Sequence, residues 1–152
     1  MDVKDIYVAD RAAITMMVDI SRFPDTETGG MLLGYIHEDE GDIEVLEATD
    51  SGIHAIHEKS DFSFDHEYTE HLAWIYGRMH YPNLQVLGVW HKHNHDCDPP
   101  FSEKDEEMHR ELLKITPRGG VSILFQKVEE DTYKMRKFFI AQDGSCKEFE
   151  EY

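Results

Sequence analysis

Cysteine, basic residues and long apolar runs are all scarce in this sequence of 152 residues. Its two cysteines, Cys97 and Cys146, are too few for a disulfide framework, which excludes the class of small disulfide-rich secreted domains. No apolar run approaches the roughly 18 residues that a membrane-spanning helix needs. The first ten residues also lack the basic region and apolar stretch of a signal peptide. We therefore expect a cytoplasmic protein that does not enter a membrane.

Positive charge is outweighed, with 15 lysines and arginines against 32 acidic residues and a formal net charge of -17. A surface this negative repels phosphate backbones, which argues against nucleic acid as a partner. The charge either aids solubility or favours a basic partner surface. Hydrophobic residues make up 40% of the chain, enough to form a core. The length is that of one domain, so we expect residues 1–152 to form a single domain.

Hydrophobic periodicity predicts helices and strands in mixed order along the chain. The predicted helices are Asp10–Phe23, His66–His80 and Ser102–Ile115, and the predicted strands are Met31–Ile36, Ile43–Ala48, Leu84–His91, Val121–Phe125 and Tyr133–Ala141. The first two strands flank the turn EDEGD and the last two flank the turn EEDT, so each pair is predicted to be antiparallel. This order indicates an α+β or α/β sandwich built around one sheet.

The spacing of apolar side chains also predicts which face of each helix is buried. Asp10 is expected to cap the first helix, and residues 50–65 are expected to be irregular, with His54 and His57 on the surface. His109 is likewise expected to be exposed. The apolar faces are predicted to be Ala13, Ile14, Met17 and Val18 on the first helix, Tyr68, Leu72, Ile75 and Met79 on the second, and Met108, Leu112 and Ile115 on the third.

Two histidines and one aspartate have the spacing of a metal site. His91 and His93 end a nearly continuous apolar strand, and because strand side chains alternate, both imidazoles face the same side. Asp105 begins the apolar face of the third helix, where a buried carboxylate needs a partner or a metal ion. Two histidines and a carboxylate match a catalytic zinc set that leaves a fourth position for water.

Two alternatives for these residues remain open at the level of sequence. Ser102 and Asp105 also have the spacing of a helix capping box, a role that is compatible with metal binding. A structural zinc site would need a fourth protein ligand, which His95 or Cys97 could supply. Other zinc enzymes are disfavoured, because neither the H-x-E and P-C-x-x-C pair of nucleoside deaminases nor the H-E-x-x-H of thermolysin-like proteases occurs.

Taken together, three segments resemble the JAMM/MPN (JAB-type) zinc metalloprotease domain, in its prokaryotic-like single-domain form. The segments are ETGGMLLG at 27–34, GVWHKH at 88–93 and SEKD at 102–105. The resemblance covers nearly the whole chain and implies an α+β fold of cytidine-deaminase-like MPN architecture. In that fold, a mixed curved sheet is flanked by helices in an arrangement like that of three-layer α/β proteins.

The resemblance also implies a role for each matching residue. His91, His93 and Asp105 would bind one catalytic Zn2+, Glu27 would be the general acid/base, and Ser102 would stabilise the oxyanion. Members of the family hydrolyse peptide or isopeptide bonds beside the tails of ubiquitin-like proteins, and prokaryotic members resemble processors of ubiquitin-like or sulfur-carrier proteins. The alternative is a catalytically silent scaffold that binds other proteins, since the family contains such members.

The sequence departs from the family pattern at three places. Eight residues instead of seven separate His93 from Ser102, which leaves His93 and His95 as a second H-x-H pair; Trp90 and the buried strand favour the pair at 91 and 93. Lys92 stands where the pattern usually has serine, and Asn94 stands where it usually has proline. Neither residue is a ligand, but both lie near the expected cleft.

Overall fold

The computed structural model describes residues 1–94 and 100–150, which contain three helices and nine strands. In chain order they are β1 (Asp5–Val8), α1 (Asp10–Arg22), β2 (Thr28–His37), β3 (Asp42–Ala48), β4 (Ile56–His57), β5 (Phe62–Ser63), α2 (His66–Arg78), β6 (Gln85–His93), α3 (Glu103–Leu113), β7 (Gly120–Glu129), β8 (Thr132–Ile140) and β9 (Cys146–Phe149). Among these described residues, no helix is long and apolar enough to cross a membrane.

Seven strands form one mixed sheet in the order β1-β3-β2-β6-β7-β8-β9, and β4 and β5 form a separate two-stranded sheet. The pairs β1–β3 and β6–β7 are parallel, and the other neighbours in the large sheet are antiparallel. The predicted α+β class and both predicted hairpins are therefore confirmed. Strands β1 and β9 were not predicted, and β4 and β5 lie in the segment that was expected to be irregular.

The large sheet curls until its first and last strands approach each other. Lys137 of β8 is buried, and its Nζ donates to the carbonyl of Ile6 in β1 at 2.8 Å. Lys147 of β9 donates in the same way to the carbonyl of Val3 at 3.1 Å. These two lysines link the two edges of the sheet, so the sheet is nearly closed.

Strand β6 lies in the middle of the sheet and is buried on both faces from Leu87 to His93, as its apolar sequence predicts. The strand can pack closely against β7 because residue 88 is glycine. A Cβ atom at Gly88 would lie 1.7 Å from the carbonyl oxygen of Val121. Trp90 is fully buried on the core side and donates its indole N–H to the carbonyl of Thr49 at 2.8 Å. The end of β6 is thereby fixed in place.

The prediction for the buried face of α1 is wrong. The helix buries Ala12, Met16, Asp19 and Ile20, whereas Ile14, Met17 and Val18 are exposed. Asp19 can lie inside because its carboxylate accepts hydrogen bonds from Thr28 Oγ1 at 2.6 Å and from Ser51 Oγ at 3.1 Å. The predicted cap is also wrong, since Ala9 is the N-cap residue and Asp10 lies in the first turn. There its negative charge interacts favourably with the helix dipole.

Three further expectations for the helices need correction. Met79 and Ile115 are exposed because α2 ends at Arg78 and α3 ends at Leu113, so neither side chain continues its helix face. His109 is buried rather than exposed. Its Nε2 lies 2.8 Å from Ser122 Oγ in β7, so this ring nitrogen has a hydrogen-bond partner inside the protein. The ring of Phe101 packs edge-on against His109.

Candidate metal centre

The last residues of β6 and the first turn of α3 meet at one buried point. His93 Nε2 lies 2.9 Å from Asp105 Oδ2, and His91 Nε2 lies 3.4 Å from Asp105 Oδ1. One ligand atom from each of the three residues lies within 4.8 Å of the others, and all three side chains are buried. In a tetrahedral zinc site with bonds of about 2.0–2.1 Å, neighbouring ligand atoms are roughly 3.3 Å apart. The observed separations are close to this value, so the group could bind a metal ion.

The start of α3 fixes where the carboxylate of Asp105 points. Ser102 is the N-cap residue, and its Oγ accepts a hydrogen bond from the N–H of Asp105 at 3.2 Å. In return, Asp105 Oδ2 accepts from the N–H of Ser102 at 2.9 Å. The predicted capping box is therefore confirmed, and it orients Asp105 towards the two histidines instead of competing with that arrangement.

Burial and hydrogen bonding set the protonation of this group. Burial lowers the pKa of His91, which keeps its imidazole neutral, the form that binds metal ions. Burial alone would raise the pKa of Asp105, but the imidazoles of His91 and His93 beside its carboxylate hold that pKa well below its usual range. The carboxylate is therefore ionised at neutral pH. Two imidazoles and one carboxylate form a donor set that suits zinc.

The ring nitrogens of His91 support a ligand role from an independent direction. Both Nδ1 and Nε2 are buried and make no hydrogen bond to any of the described residues, since the approach of Nε2 to Asp105 is long at 3.4 Å. A buried polar atom without a partner is costly in a folded protein. A metal ion at Nε2 would satisfy one of these atoms, so the residues that are present fit the group that the sequence predicts.

Glu27 lies beside this group, at the residue that precedes β2. The residue is buried, with 5% of its surface exposed, unlike an ordinary acid in an exposed loop. Burial raises the pKa of Glu27 to about 7; His93 nearby opposes this rise, and Asp105 adds to it. A carboxyl that titrates near neutral pH is suited to both accepting and returning a proton.

Glu27, Ser102 and Asp105 all line one groove with a volume of about 650 Å³. Apolar side chains from β2, β5, β6 and α3 contribute to its walls. Acidic side chains also line it, and they include Asp61, Glu70, Glu107 and Glu111. The groove that Asp105 lines is therefore partly apolar and partly acidic.

Sequence reasoning assigned His57 to the surface, but the residue lies half-buried against the backbone that leads to Glu27. His57 Nδ1 is 3.0 Å from the carbonyl oxygen of Glu27, and its ring stacks on Phe23 with centroids 3.6 Å apart. His57 and Glu27 are 30 positions apart in sequence, and no spacing rule connects them. A histidine in an irregular segment gives no signal of such a contact.

Other predicted residues lie elsewhere. His54 is exposed, as expected. His95 and Cys97, the alternative fourth ligands, lie outside the described residues. His95 is also the second histidine of the alternative pair at 93 and 95. Among the residues that the structure describes, His91, His93 and Asp105 form the one group of three or more side chains that could bind a metal ion.

Comparison with known proteins identifies the family and the fold. Residues 11–141 match the family described as prokaryotic homologs of the JAB domain. The fold is similar to that of protein DSY2949 from Desulfitobacterium hafniense, determined in solution, with a TM-score of 0.68 and 18% identity over 95% of this chain and 90% of that chain. No curated protein matches the sequence. The family match spans most of the chain, and on that basis the protein belongs to the prokaryotic homologs of the JAB domain.

Proposed function

We propose that this protein is a zinc-dependent hydrolase of peptide or isopeptide bonds. The observation that carries the proposal is the buried meeting of His91, His93 and Asp105 beside Glu27, an acid that is not one of the three. A catalytic site needs an open position for substrate at the metal and a separate proton carrier. Three protein ligands and a neighbouring carboxyl in a groove meet both needs.

Each residue near the ligands has a distinct task in this proposal. A bound zinc ion would supply Lewis acidity and an activated water near neutral pH. Glu27, with its pKa raised to about 7, would accept a proton during attack and return it to the leaving amine. Ser102 Oγ accepts the N–H of Asp105 with a lone pair, which leaves its own proton available for the oxyanion of the tetrahedral intermediate.

We further propose that the substrate is the C-terminal tail of a ubiquitin-like or sulfur-carrier protein, or a group joined to that tail. The groove of about 650 Å³ begins at Glu27 and Asp105 and continues along α3, which suits an extended chain better than a compact metabolite. Its acidic side chains, with the net charge of -17, favour a tail or partner surface that carries basic groups.

The test begins with metal content. After dialysis, the wild type should retain about one equivalent of zinc, and Asp105→Ala should lose it because the carboxylate is one of three ligands. Zinc that persists in folded Asp105→Ala would assign the metal to other residues. No zinc in the wild type, even after reconstitution, would favour the silent scaffold instead.

The second step separates metal binding from turnover. Glu27→Gln should keep its zinc, because no ligand changes, but hydrolysis of tail fusions should fall by about 10²- to 10⁴-fold because the proton carrier is lost. Fusions of ubiquitin-like and sulfur-carrier proteins to a reporter provide the assay. Unchanged turnover in zinc-loaded Glu27→Gln would remove this residue from the mechanism.

A further inference from the structure

Strand β6 has a second face at the metal centre, and that face contacts the loop before Glu27. Side chains alternate along a strand, so Lys92 points away from the side occupied by His91 and His93, and Asn94 directly follows the strand. These two positions are the ones at which the sequence departs from the serine and proline of the family pattern. Both side chains reach the segment 23–26, which connects α1 to Glu27.

Lys92 is fully buried, and its ammonium group is surrounded by carbonyl oxygens of that segment. Its Nζ donates to the carbonyls of Phe23 at 2.6 Å, Pro24 at 3.2 Å and Thr26 at 2.8 Å. A lysine ammonium has three protons, so all of its donors are used on one short loop. Hydrogen bonds from a charged donor are stronger than neutral ones, which makes this contact a firm attachment.

Asn94, the residue that follows β6, makes a second attachment. Its Nδ2 donates to the carbonyl of Asp25 at 2.9 Å and to the carbonyl of Lys59 at 3.1 Å. The carbonyl of Asp25 is the one carbonyl of the segment 23–26 to which Lys92 does not donate, and Asn94 donates to it instead. The second contact joins the loop to the β4–β5 turn, whose residue Glu58 accepts the N–H of Glu27 at 2.8 Å.

We propose that Lys92 and Asn94 act together as positioning residues that hold the segment 23–26, and through it the carboxyl of Glu27, in register with the metal ligands. This inference rests on the proposed function, because it assigns Glu27 the role of proton carrier. The rigid element is β6 itself. One strand carries two metal ligands on one face and the attachment of the proton carrier's loop on the other, so the two parts cannot drift apart independently.

A loose loop would leave the metal ligands intact but misplace the carboxyl of Glu27. A displacement of about 1 Å at a catalytic group can cost about 100-fold in rate. We therefore expect Lys92→Met and Asn94→Ala to keep one equivalent of zinc and an unchanged KM, with kcat lowered by about 10- to 100-fold. The amide of Glu27 should exchange its hydrogen at least about ten-fold faster in both variants, with or without zinc.

Lys137→Met is the matched control. Lys137 is also a buried lysine that donates to a backbone carbonyl, but its acceptor is Ile6 in β1. This variant should change exchange in β1 and leave both the Glu27 amide and kcat at wild-type values. If Lys137→Met accelerated exchange at Glu27 as much as Lys92→Met, the effect would be general loosening and the proposal would be overturned.

The exchange measurement also separates this inference from the proposed function. A wild type without hydrolytic activity would refute the hydrolase, whereas exchange at the Glu27 amide would still decide whether the two side chains hold the loop. If Lys92→Met does not fold, Asn94→Ala carries the test, because Asn94 is only half-buried. Wild-type exchange at Glu27 and wild-type kcat in Asn94→Ala would overturn the proposal.

Discussion

Replacing Glu27 by glutamine should stabilise the metal-free protein, and the gain should depend on pH. The carboxyl of Glu27 is buried, and burial raises its pKa from the ordinary 4.5 to about 7. The folded state therefore prefers the protonated form, and ionisation of this group at higher pH destabilises the fold. Glutamine has the shape of the protonated acid and cannot ionise, so the variant avoids this penalty.

The size of the effect follows from the two pKa values. Each pKa unit corresponds to about 1.4 kcal/mol, so the rise from 4.5 to about 7 sets an upper limit of about 3.5 kcal/mol. Glu27 lines an open groove, where solvent screens part of the cost, so we expect about 1–2 kcal/mol. The penalty is absent below pH 4.5, grows as the pH rises, and is complete above about pH 7.

Thermal unfolding of the two metal-free proteins at pH 4 and pH 8 is the assay. The midpoints should nearly coincide at pH 4, and Glu27→Gln should unfold about 2–8 °C higher at pH 8, since about 1 kcal/mol shifts the midpoint of a protein this size by about 2–4 °C. A midpoint difference of the same size at both pH values would show that the effect is not ionisation. A variant less stable at pH 8 would refute the reasoning, because it would show that the carboxylate is held by favourable contacts.

Three other substitutions test separate parts of the structure. Ser122→Ala removes the partner of His109 Nε2 and should cost about 1–3 kcal/mol in denaturant unfolding, and an unchanged midpoint would mean that His109 finds another partner. Gly88→Ala places a methyl group 1.7 Å from a carbonyl oxygen of β7 and should lower the free energy of unfolding by about 3 kcal/mol or more. Poor soluble yield or a lowered unfolding midpoint would report this loss. Wild-type stability would contradict the close approach of the strands. Cys97→Ser should keep its zinc and its activity, and loss of zinc on dialysis would instead favour a structural site that uses the thiolate.

The predictions that came closest to the structure rest on strong local signals. The long apolar run in β6 predicted a strand buried on both faces, and the spacing of Ser102 and Asp105 predicted the capping box. Because His91 and His93 end that strand and Asp105 is oriented by that cap, the sequence also predicted that these three side chains meet. Their role as ligands stays a prediction until metal is measured.

The errors arise where a partner distant in sequence decides the outcome. Helix α1 carries two overlapping stripes with helical spacing, and the stripe that was predicted to be buried does not include Asp19. The structure buries that stripe because Thr28 and Ser51 satisfy the carboxylate. His109 was misplaced for the same reason, since its partner Ser122 is on another element. Polar residues that are paired in this way give no local sign of burial.

The short strands were missed for a different reason. Strands β1 and β9 have four residues each, too few for a period of two to be distinguished from chance. Their place in the sheet depends on neighbours: β1 pairs in parallel with β3, and β9 pairs with β8. Only the assembled sheet makes them strands.

The lysines that link the two edges of the large sheet have a consequence for association between molecules. An open sheet edge offers unpaired carbonyls to a strand from another molecule, which is a route to aggregation. Lys137 already occupies the carbonyl of Ile6 on β1, and Lys147 occupies the carbonyl of Val3 just before that strand. An incoming strand would have to displace both ammonium groups and leave the buried charge of Lys137 without that acceptor. The same contacts that curl the sheet therefore protect its first strand against intermolecular pairing.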